Sequence, residues 1–229
     1  MAKAAGGGMK GFYALLLLLA VGGGVALFLL SRSRQVSIPA NVTVTAEDTL
    51  GFRGFVLGDS AAPVEVVEYA DYQCPACASF DMVQFPDVRK RLIETGRLRW
   101  RYRDFPLAQH RHSRMAAHAA ACADEQGKYW PVHGLIYEAQ SDWAARSGSA
   151  AADFRDLAKA AGVDLAAYDA CMQSARHAGR IEASLQEGMR LGVNSTPTFL
   201  VGGRLYPGIL PADRLEALVD SLAKAAAAR

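Results

Sequence analysis

The 229-residue sequence lacks several features that would point to particular functions. Its formal net charge is only +2, which gives no argument for nucleic-acid binding. No internal repeat is present, and the glycine runs at 6–8 and 22–24 lie in or beside an apolar segment. Both runs lack the strand–loop–helix setting of a nucleotide-binding loop. With 51% hydrophobic residues, the chain can bury the core of one domain with extensions, or of two small domains.

Charged residues are absent between Gly11 and Leu30, a stretch of twenty residues. A stretch of this length predicts an N-terminal transmembrane helix. A cleaved signal peptide is the alternative, but its apolar region is usually shorter, and Ser31–Arg34 offers no small-residue cleavage site. We therefore expect residues 1–34 to form a tail and an uncleaved transmembrane anchor, and residues 35–53 to form a linker. The charges that flank the segment are nearly balanced and leave its orientation open.

Cysteine is scarce, with four residues, and two of them form the pair in Cys74-Pro75-Ala76-Cys77. The pair follows a Val-rich run at 64–69 that predicts a buried strand, and it precedes a predicted helix. The first sulfur then lies beside free N–H groups at the helix N-terminus, which stabilise a thiolate. The second sulfur can attack a mixed disulfide formed by the first. Zinc sites use the same spacing, so the pair alone leaves redox chemistry and metal binding open.

The remaining pattern predicts an α/β layer that a helical block interrupts. Apolar or alternating runs predict strands at residues 42–44, 54–58, 98–103, 198–201 and 204–206. Helices are predicted at 80–95, with a break or kink at Pro86, near 113–126, 130–140, 151–161, 165–174 and 176–191, and at 211–228. We therefore predict that residues 54–108 and 192–229 form one α/β domain and that residues 109–191 form an all-helical insertion within it.

This order of elements resembles the thioredoxin fold, and more closely the DsbA-like thiol–disulfide oxidoreductases, which carry a helical insertion. The resemblance covers residues 54–229. It depends on stretches that agree in order with the family: Glu68–Cys77, Phe105–Leu107 with His112, Gln126–Trp130 with His133, and Gly192–Phe199. The first stretch looks like the active-site segment, the next two look like the insertion, and the last looks like the cis-proline loop.

The resemblance implies a set of site residues. Cys74 and Cys77 would be the catalytic pair, with Thr196 and Pro197 opposite them and the bond between those two residues cis. The residues expected to contact substrate surround the pair: Tyr72, Pro75, Ala76, Ser195 and Thr196. The Pro-Ala dipeptide lacks the histidine of the most strongly oxidising members, which implies a less extreme thiol pKa. With the cis-proline loop present, we expect redox chemistry at the pair, without a metal or a cofactor.

Glu68 is a carboxylate inside an otherwise apolar strand. Its side chain either reaches water at the strand end or lies partly buried beneath the cysteines with a raised pKa. Its position matches the acidic residue of the family, so we expect it to exchange protons with the Cys77 sulfur. Asp71 is expected to cap or orient the loop before the pair.

Cys122 and Cys171 both fall in the helical block. An even number of cysteines suits an oxidising compartment, where this second pair forms a structural disulfide or stays as two buried thiols. Similar family members carry a bridge in the insertion, which implies the disulfide. Such a bridge would add about 4 kcal/mol of stability in the chain-entropy model.

The histidines at 110, 112, 118 and 133 cluster loosely in the sequence and lack a carboxylate at metal-ligand spacing. We expect them to lie at the surface or to pack between helices. Among them His112 is the best candidate for a functional role instead, because it is expected near the active-site face.

The resemblance implies an extracytoplasmic dithiol oxidase, anchored in the cell membrane, that forms disulfides in reduced or unfolded secreted proteins. A quinone-linked membrane oxidase of the DsbB or VKOR type would reoxidise it. A reductase or isomerase of the same fold is the second hypothesis, and a binding module with structural cysteines is the third. Gln73 occupies a position where reductive thioredoxins have tryptophan, which favours an oxidase over a reductase.

Overall fold

The computed structural model describes the backbone of residues 8–32 and 36–228 and the side chains of residues 11–25 and 36–228. The chain divides into two compact units, with the boundary between Val36 and Ser37. The first unit contains helix α1, Gly8–Arg32. The other secondary-structure elements belong to the second unit.

Helix α1 includes the predicted anchor at residues 11–30. Within the part of the chain that the structure describes, no helix combines the length and the apolar character needed to cross a membrane. The side chains of residues 26–30, and residues 1–7 and 33–34 of the predicted tail, lie outside the described residues. The anchor therefore stays a prediction.

Five strands form one mixed sheet in the order β1-β3-β2-β4-β5. Their bounds are β1 Phe55–Leu57, β2 Val64–Ala70, β3 Leu98–Asp104, β4 Thr198–Val201 and β5 Arg204–Pro207. Strands β2 and β3 are parallel, and the other three pairs are antiparallel. A parallel pair needs a crossover connection, which the helices between β2 and β3 supply. Both strands therefore end at the same edge of the sheet, where the cysteine pair and residues 105–113 follow them.

The connection from β2 to β3 begins at the cysteine pair as α3, Pro75–Ser79. It continues through two π-helical segments, Phe80–Gln84 and Arg89–Ile93, on either side of α4, Phe85–Val88. The helix thus begins earlier than predicted. Pro86 does not break the helical path, because it lies in the first turn of α4, where its missing N–H is tolerated.

The block between β3 and β4 is entirely helical. Its helices are α5 Ser113–Asp124, α6 Tyr129–Glu138, α7 Gln140–Ala144, α8 Ala151–Ala160, α9 Leu165–Ser174 and α10 Ala178–Arg190. The sequence pattern does not reveal the short α7, because five residues are too few to show a helical period. Cys122 of α5 and Cys171 of α9 form a disulfide, with 5.7 Å between their Cα atoms. After β5 the chain ends in α11, Ala212–Ala227.

The predicted edge strand at Val42–Val44 is wrong. These residues pair with none of the described strands and lead instead into the short helix α2, Ala46–Thr49. The Asp48 carboxylate accepts a hydrogen bond from the Thr45 N–H at 2.7 Å and caps this helix. Asp48 also packs on Gly179 of α10, where a Cβ atom would collide with it. The segment therefore packs on the helical block and not beside the sheet.

The core lies on both faces of the sheet. One face packs against the α3–α4 connection and α11 through a large apolar cluster that includes Val66, Phe80, Trp100, Phe199 and Leu215. The opposite face carries a smaller cluster of Tyr69, Phe105 and Val193. The alternation predicted for β3 is confirmed, since Leu98, Trp100 and Tyr102 are all fully buried. Because β2 is covered on both faces, packing fixes the positions of the residues at its end.

Candidate active site

The two cysteines of the pair occupy different environments. Cys74 is the N-cap of α3 and is 7% exposed, whereas Cys77 lies inside the helix and is fully buried. The Cys77 N–H donates to the Cys74 carbonyl at 3.1 Å, which closes the first turn. Pro75 is exposed at the start of this turn, and Ala76 is half-buried. A substrate sulfur that approaches the pair therefore meets Cys74 before Cys77.

The surroundings of the Cys74 sulfur lower its pKa to about 5, from an ordinary value of 9.0. The largest contribution is a hydrogen bond from the Cys77 thiol, and burial opposes it. The Thr196 hydroxyl and the backbone N–H groups of Cys77 and Ala76 lower the pKa further. These N–H groups belong to the helix start, as the sequence predicts. Cys74 is therefore a thiolate at neutral pH.

Burial has the opposite effect on Cys77 and raises the pKa of this thiol well above its ordinary value. The neighbouring Cys74 sulfur raises the pKa further, and so does the Glu68 carboxyl group whenever it is ionised. At neutral pH the pair thus consists of one thiolate and one protonated thiol. Such a pair can supply a nucleophile at Cys74 and, at Cys77, a thiol able to resolve a mixed disulfide.

The loop before β4 faces the pair. Its Thr196–Pro197 peptide bond is cis. The Cys74 sulfur lies 3.4 Å from the Thr196 carbonyl oxygen, to which it donates a hydrogen bond when it is protonated. Pro197 is buried, whereas Ser195 and Thr196 are half-buried. The fold therefore brings together two stretches that lie more than a hundred residues apart in sequence.

The Thr196 hydroxyl has no hydrogen-bond partner among the described residues and is free to donate to the Cys74 thiolate. Thr196→Val is expected to raise the pKa of Cys74. A hydrogen bond to a charged group contributes about 1.5–3 kcal/mol, which corresponds to a rise of about one pKa unit or more. The ultraviolet absorbance of the thiolate, followed against pH, measures the shift. Ser195→Ala is the matched control and should leave the pKa unchanged; equal shifts in both variants would contradict the assignment.

Glu68 lies at the centre of the sheet and is 4% exposed. Burial raises its pKa well above the ordinary 4.5, the charge of Asp81 raises it further, and the Trp100 indole opposes both. Glu68 also contributes to the raised pKa of Cys77, which places the two groups within electrostatic reach. The structure therefore buries the Glu68 side chain and does not leave it in water at the end of the strand.

The prediction that Tyr72 contacts substrate is wrong. Its side chain is 1% exposed and lies among buried aromatic rings between the sheet and the helical block. Its hydroxyl is 2.9 Å from the Tyr129 hydroxyl and 2.8 Å from His133 Nδ1. A tyrosine ring needs apolar contacts and a partner for its hydroxyl, and the interior supplies both.

Asp71 ties the loop before the pair to the segment after β3. Its buried carboxylate accepts hydrogen bonds from the backbone N–H groups of Gln73 and Leu107, both at 2.7 Å. His110 Nδ1 lies 2.8 Å from the same carboxylate. The hydrogen bond to Asp71 raises the pKa of His110, and the nearby Cys74 raises it further. A histidine whose protonated form is favoured therefore lies near Cys74, although the dipeptide between the cysteines lacks a histidine.

The sequence favours His112 over His110 as the histidine nearest the active site, and the structure reverses this preference. His112 is buried, and its Nε2 is 2.9 Å from the Arg146 carbonyl oxygen, so its ring packs inside the insertion. Its backbone N–H donates to Gln73 Oε1 at 2.7 Å and supports the loop before Cys74. The sequence signal that points to this histidine pair is the parallel order of β2 and β3, because residues that follow two parallel strands meet at one edge of the sheet. Spacing within residues 109–113 cannot tell which of the two rings turns towards that edge.

Comparison with known proteins gives matches over the second unit of the chain. Residues 52–221 match a family model described as Thioredoxin. The Na(+)/H(+) antiporter NhaA 3 of Salinispora tropica is 35% identical over 170 residues, which are 74% of this chain and 24% of that protein. The chain thus spans about a quarter of the length of this relative.

Two further matches carry names from disulfide chemistry. Disulfide bond formation protein D of Bacillus subtilis is 24% identical over 168 residues, covering 72% of this chain and 75% of that protein. The crystal structure of Wolbachia pipientis alpha-DsbA1 superimposes with a TM-score of 0.68 and 22% identity, covering 76% of this chain and 92% of that chain. At this identity the structural match is evidence of the fold alone.

Proposed function

Because the chain belongs to the thioredoxin family, we propose that it is a protein-disulfide oxidoreductase of the DsbA type and works as a dithiol oxidase through Cys74 and Cys77. The observation that carries the proposal is the opposite shift of the two thiol pKa values. The pKa of Cys74 is lowered to about 5, and that of Cys77 is raised. One reactive thiolate beside one buried thiol is the arrangement that thiol–disulfide exchange requires.

The low pKa of Cys74 favours oxidation of substrates. A pKa of about 5 keeps Cys74 ionised at pH 7, which stabilises the reduced form of the pair by roughly 3 kcal/mol over an ordinary thiol. For a two-electron couple this makes the disulfide form about 60 mV more oxidising. A disulfide whose reduced form is stabilised gives up its oxidising equivalents readily.

The reaction follows from the order in which the sulfurs are reached. In the disulfide form, a substrate thiolate attacks Cys74, forms a mixed disulfide and expels the Cys77 thiolate. Glu68, protonated because it is buried, supplies the proton that neutralises Cys77. A second substrate thiolate then attacks the substrate sulfur of the mixed disulfide and releases Cys74 as a thiolate. The substrate gains a disulfide, and the protein keeps two electrons as the reduced pair.

The proposal also covers the compartment, the substrates, the membrane anchor and the reoxidation partner of the enzyme. A buried disulfide between Cys122 and Cys171 suits an oxidising, extracytoplasmic compartment. Reduced or unfolded secreted proteins are the proposed substrates, and residues 11–30 are the proposed anchor. A quinone-linked membrane oxidase of the DsbB or VKOR type is the proposed partner that reoxidises the pair.

A reductase or isomerase of the same fold is the second candidate, because Pro75 and Ala76 supply no histidine between the cysteines. The reduction potential of the Cys74–Cys77 pair, equilibrated against glutathione, separates the two. A value well above about −230 mV supports the oxidase, and a value near or below it supports the reductase. The oxidised protein should also accelerate disulfide formation in a reduced, unfolded substrate, and failure to do so would refute the oxidase.

Glu68→Gln tests the proton transfer to Cys77. Loss of a positioned acid typically slows a reaction by about 100-fold or more, so release of Cys77 should slow by that order. Stopped-flow measurement of mixed-disulfide formation with a small thiol gives this rate over a range of pH. The variant rate should also lose the pH dependence that ionisation of Glu68 gives to the parent.

The same variant should be more stable than the parent at neutral pH. The pKa of Glu68 is raised by folding, so the folded state binds more protons than the unfolded state above pH 4.5. Stability contributed by the protonated acid is therefore lost as the pH rises through this range. Glutamine stays neutral, so Glu68→Gln should resist heat better at pH 7 and resemble the parent near pH 4. A variant that is slower and also less stable at pH 7 would indicate a packing defect.

A further inference from the structure

The disulfide of the helical block lies in a cluster of metal-binding side chains. His118 Nδ1 is 3.3 Å from Cys122 Sγ and 3.4 Å from Met172 Sδ. His118, Cys122 and Cys171 are fully buried, and their donor atoms lie within 4.8 Å of one another. The chemistry proposed for Cys74 uses none of these groups.

A second set of donors overlaps the first at Cys171. Glu125 Oε1 lies 3.7 Å from Cys171 Sγ and 2.6 Å from His177 Nε2. These three residues also have donor atoms within 4.8 Å of one another. Glu125 is exposed, and His177 lines a surface cavity of about 270 Å³. The donors therefore form a continuous path from the surface to the buried sulfurs.

We propose that reduction of the Cys122–Cys171 disulfide creates a Zn²⁺ site with His118, Cys122, Cys171 and Glu125 as ligands. Zn–S bonds of about 2.3 Å and Zn–N or Zn–O bonds of about 2.0–2.2 Å place neighbouring ligands of a tetrahedral ion about 3.5–3.8 Å apart. The His118–Cys122 and Cys171–Glu125 distances, 3.3 and 3.7 Å, already lie close to this range. Reduction must then let the two sulfurs separate and must bring Glu125, which lies close to Cys171 in the second set of donors, towards His118 and Cys122.

The chemistry of the site balances with a dithiol as reductant. One reductant sulfur attacks the Cys122–Cys171 bond, the second closes a disulfide within the reductant, and the protein gains two electrons and two thiols. Zn²⁺ then displaces one proton from each thiol. In the disulfide form His118 Nε2 accepts a hydrogen bond from the His177 N–H at 3.3 Å, so the ring proton lies on Nδ1. Metal binding through Nδ1 requires this proton to move to Nε2 and the hydrogen bond from His177 to break, and the metal bond has to offset that loss.

The charges around the cluster are suited to a cation only after reduction. Glu125 holds one negative charge and pairs with Arg176 and His177 in the disulfide form. Two thiolates add two more negative charges at the centre, and Glu125 then exchanges its ion pair for the metal. The disulfide form offers no thiolate, so the site is controlled by the redox state of this second cysteine pair.

Zinc binding to the full-length chain carrying Cys74→Ser and Cys77→Ser tests the proposal, since this protein retains one dithiol. The protein is reduced with dithiothreitol, desalted without oxygen and titrated with Zn²⁺ against a chromophoric chelator. One equivalent should bind to the reduced protein, and the oxidised protein should bind at least about 100-fold more weakly. Co²⁺ in place of Zn²⁺ should give the absorption of a tetrahedral thiolate site.

Variants of the same background identify the ligands. His118→Ala and Glu125→Gln should each weaken zinc binding by about tenfold or more, and His110→Ala, outside the cluster, should not. Glu125 is exposed, so its variant keeps the test valid if His118→Ala fails to fold. The proposal is overturned if the reduced protein binds no stoichiometric zinc, if the oxidised protein binds it equally well, or if both ligand variants bind like the parent.

Discussion

Replacing Cys74 with serine is expected to abolish disulfide exchange and return substrate oxidation to the uncatalysed rate. A serine hydroxyl cannot form a mixed disulfide, and Cys77 is fully buried with a raised pKa, so it cannot replace the lost nucleophile. The measurement is the rate at which the oxidised protein restores disulfides to a reduced, unfolded substrate. Activity that survives in Cys74→Ser would refute the mechanism.

Cys77→Ser is the matched variant for this prediction, because it removes the second sulfur and keeps the first. The serine hydroxyl can still donate a hydrogen bond to Cys74, so we expect Cys74 to remain a reactive thiolate. Without a resolving thiol, this variant should accumulate a one-to-one mixed disulfide with a small disulfide reagent. Mass spectrometry detects the adduct, and its formation in the Cys74→Ser variant instead would reverse the two roles.

Removing the second disulfide with Cys122→Ala and Cys171→Ala is expected to lower the free energy of unfolding by about 4 kcal/mol. The bridge closes a loop of 49 residues between α5 and α9, and opening it restores chain entropy to the unfolded state. For a folded region of this size the loss corresponds to a fall in Tm of about 10 °C. Thermal unfolding followed by circular dichroism measures it.

Reduction of the parent protein with a dithiol in the presence of a chelator is the control, and it should reproduce most of the fall in Tm. The double alanine variant should keep the low pKa of Cys74, since the groups that lower it belong to α3 and the cis-proline loop. A Tm close to that of the oxidised parent would show that the bridge adds little stability.

The membership in the thioredoxin superfamily, drawn from a few stretches in the right order, is confirmed by the family model, and the structural match shows that the chain shares the fold of a DsbA protein. The thioredoxin fold with a helical insertion is confirmed as well. The sequence predicts these features because each depends on a local pattern. The patterns are a Val-rich strand, a CxxC at the start of a helix, and a long region with helical periodicity. The wrong predictions, the strand at 42–44 and the contact of Tyr72 with substrate, concern residues whose environment depends on distant parts of the chain.

The sequence by itself determined the thiol pair, its place at a helix N-terminus and the order of the surrounding elements, because backbone hydrogen bonding and side-chain periodicity act over a few residues. The tertiary structure decided which distant groups surround each sulfur. It placed Thr196 against Cys74, buried Cys77 within electrostatic reach of Glu68 and turned His110, not His112, towards Asp71. Those contacts shift the two thiol pKa values in opposite directions, because burial and hydrogen bonding act through space and not along the chain.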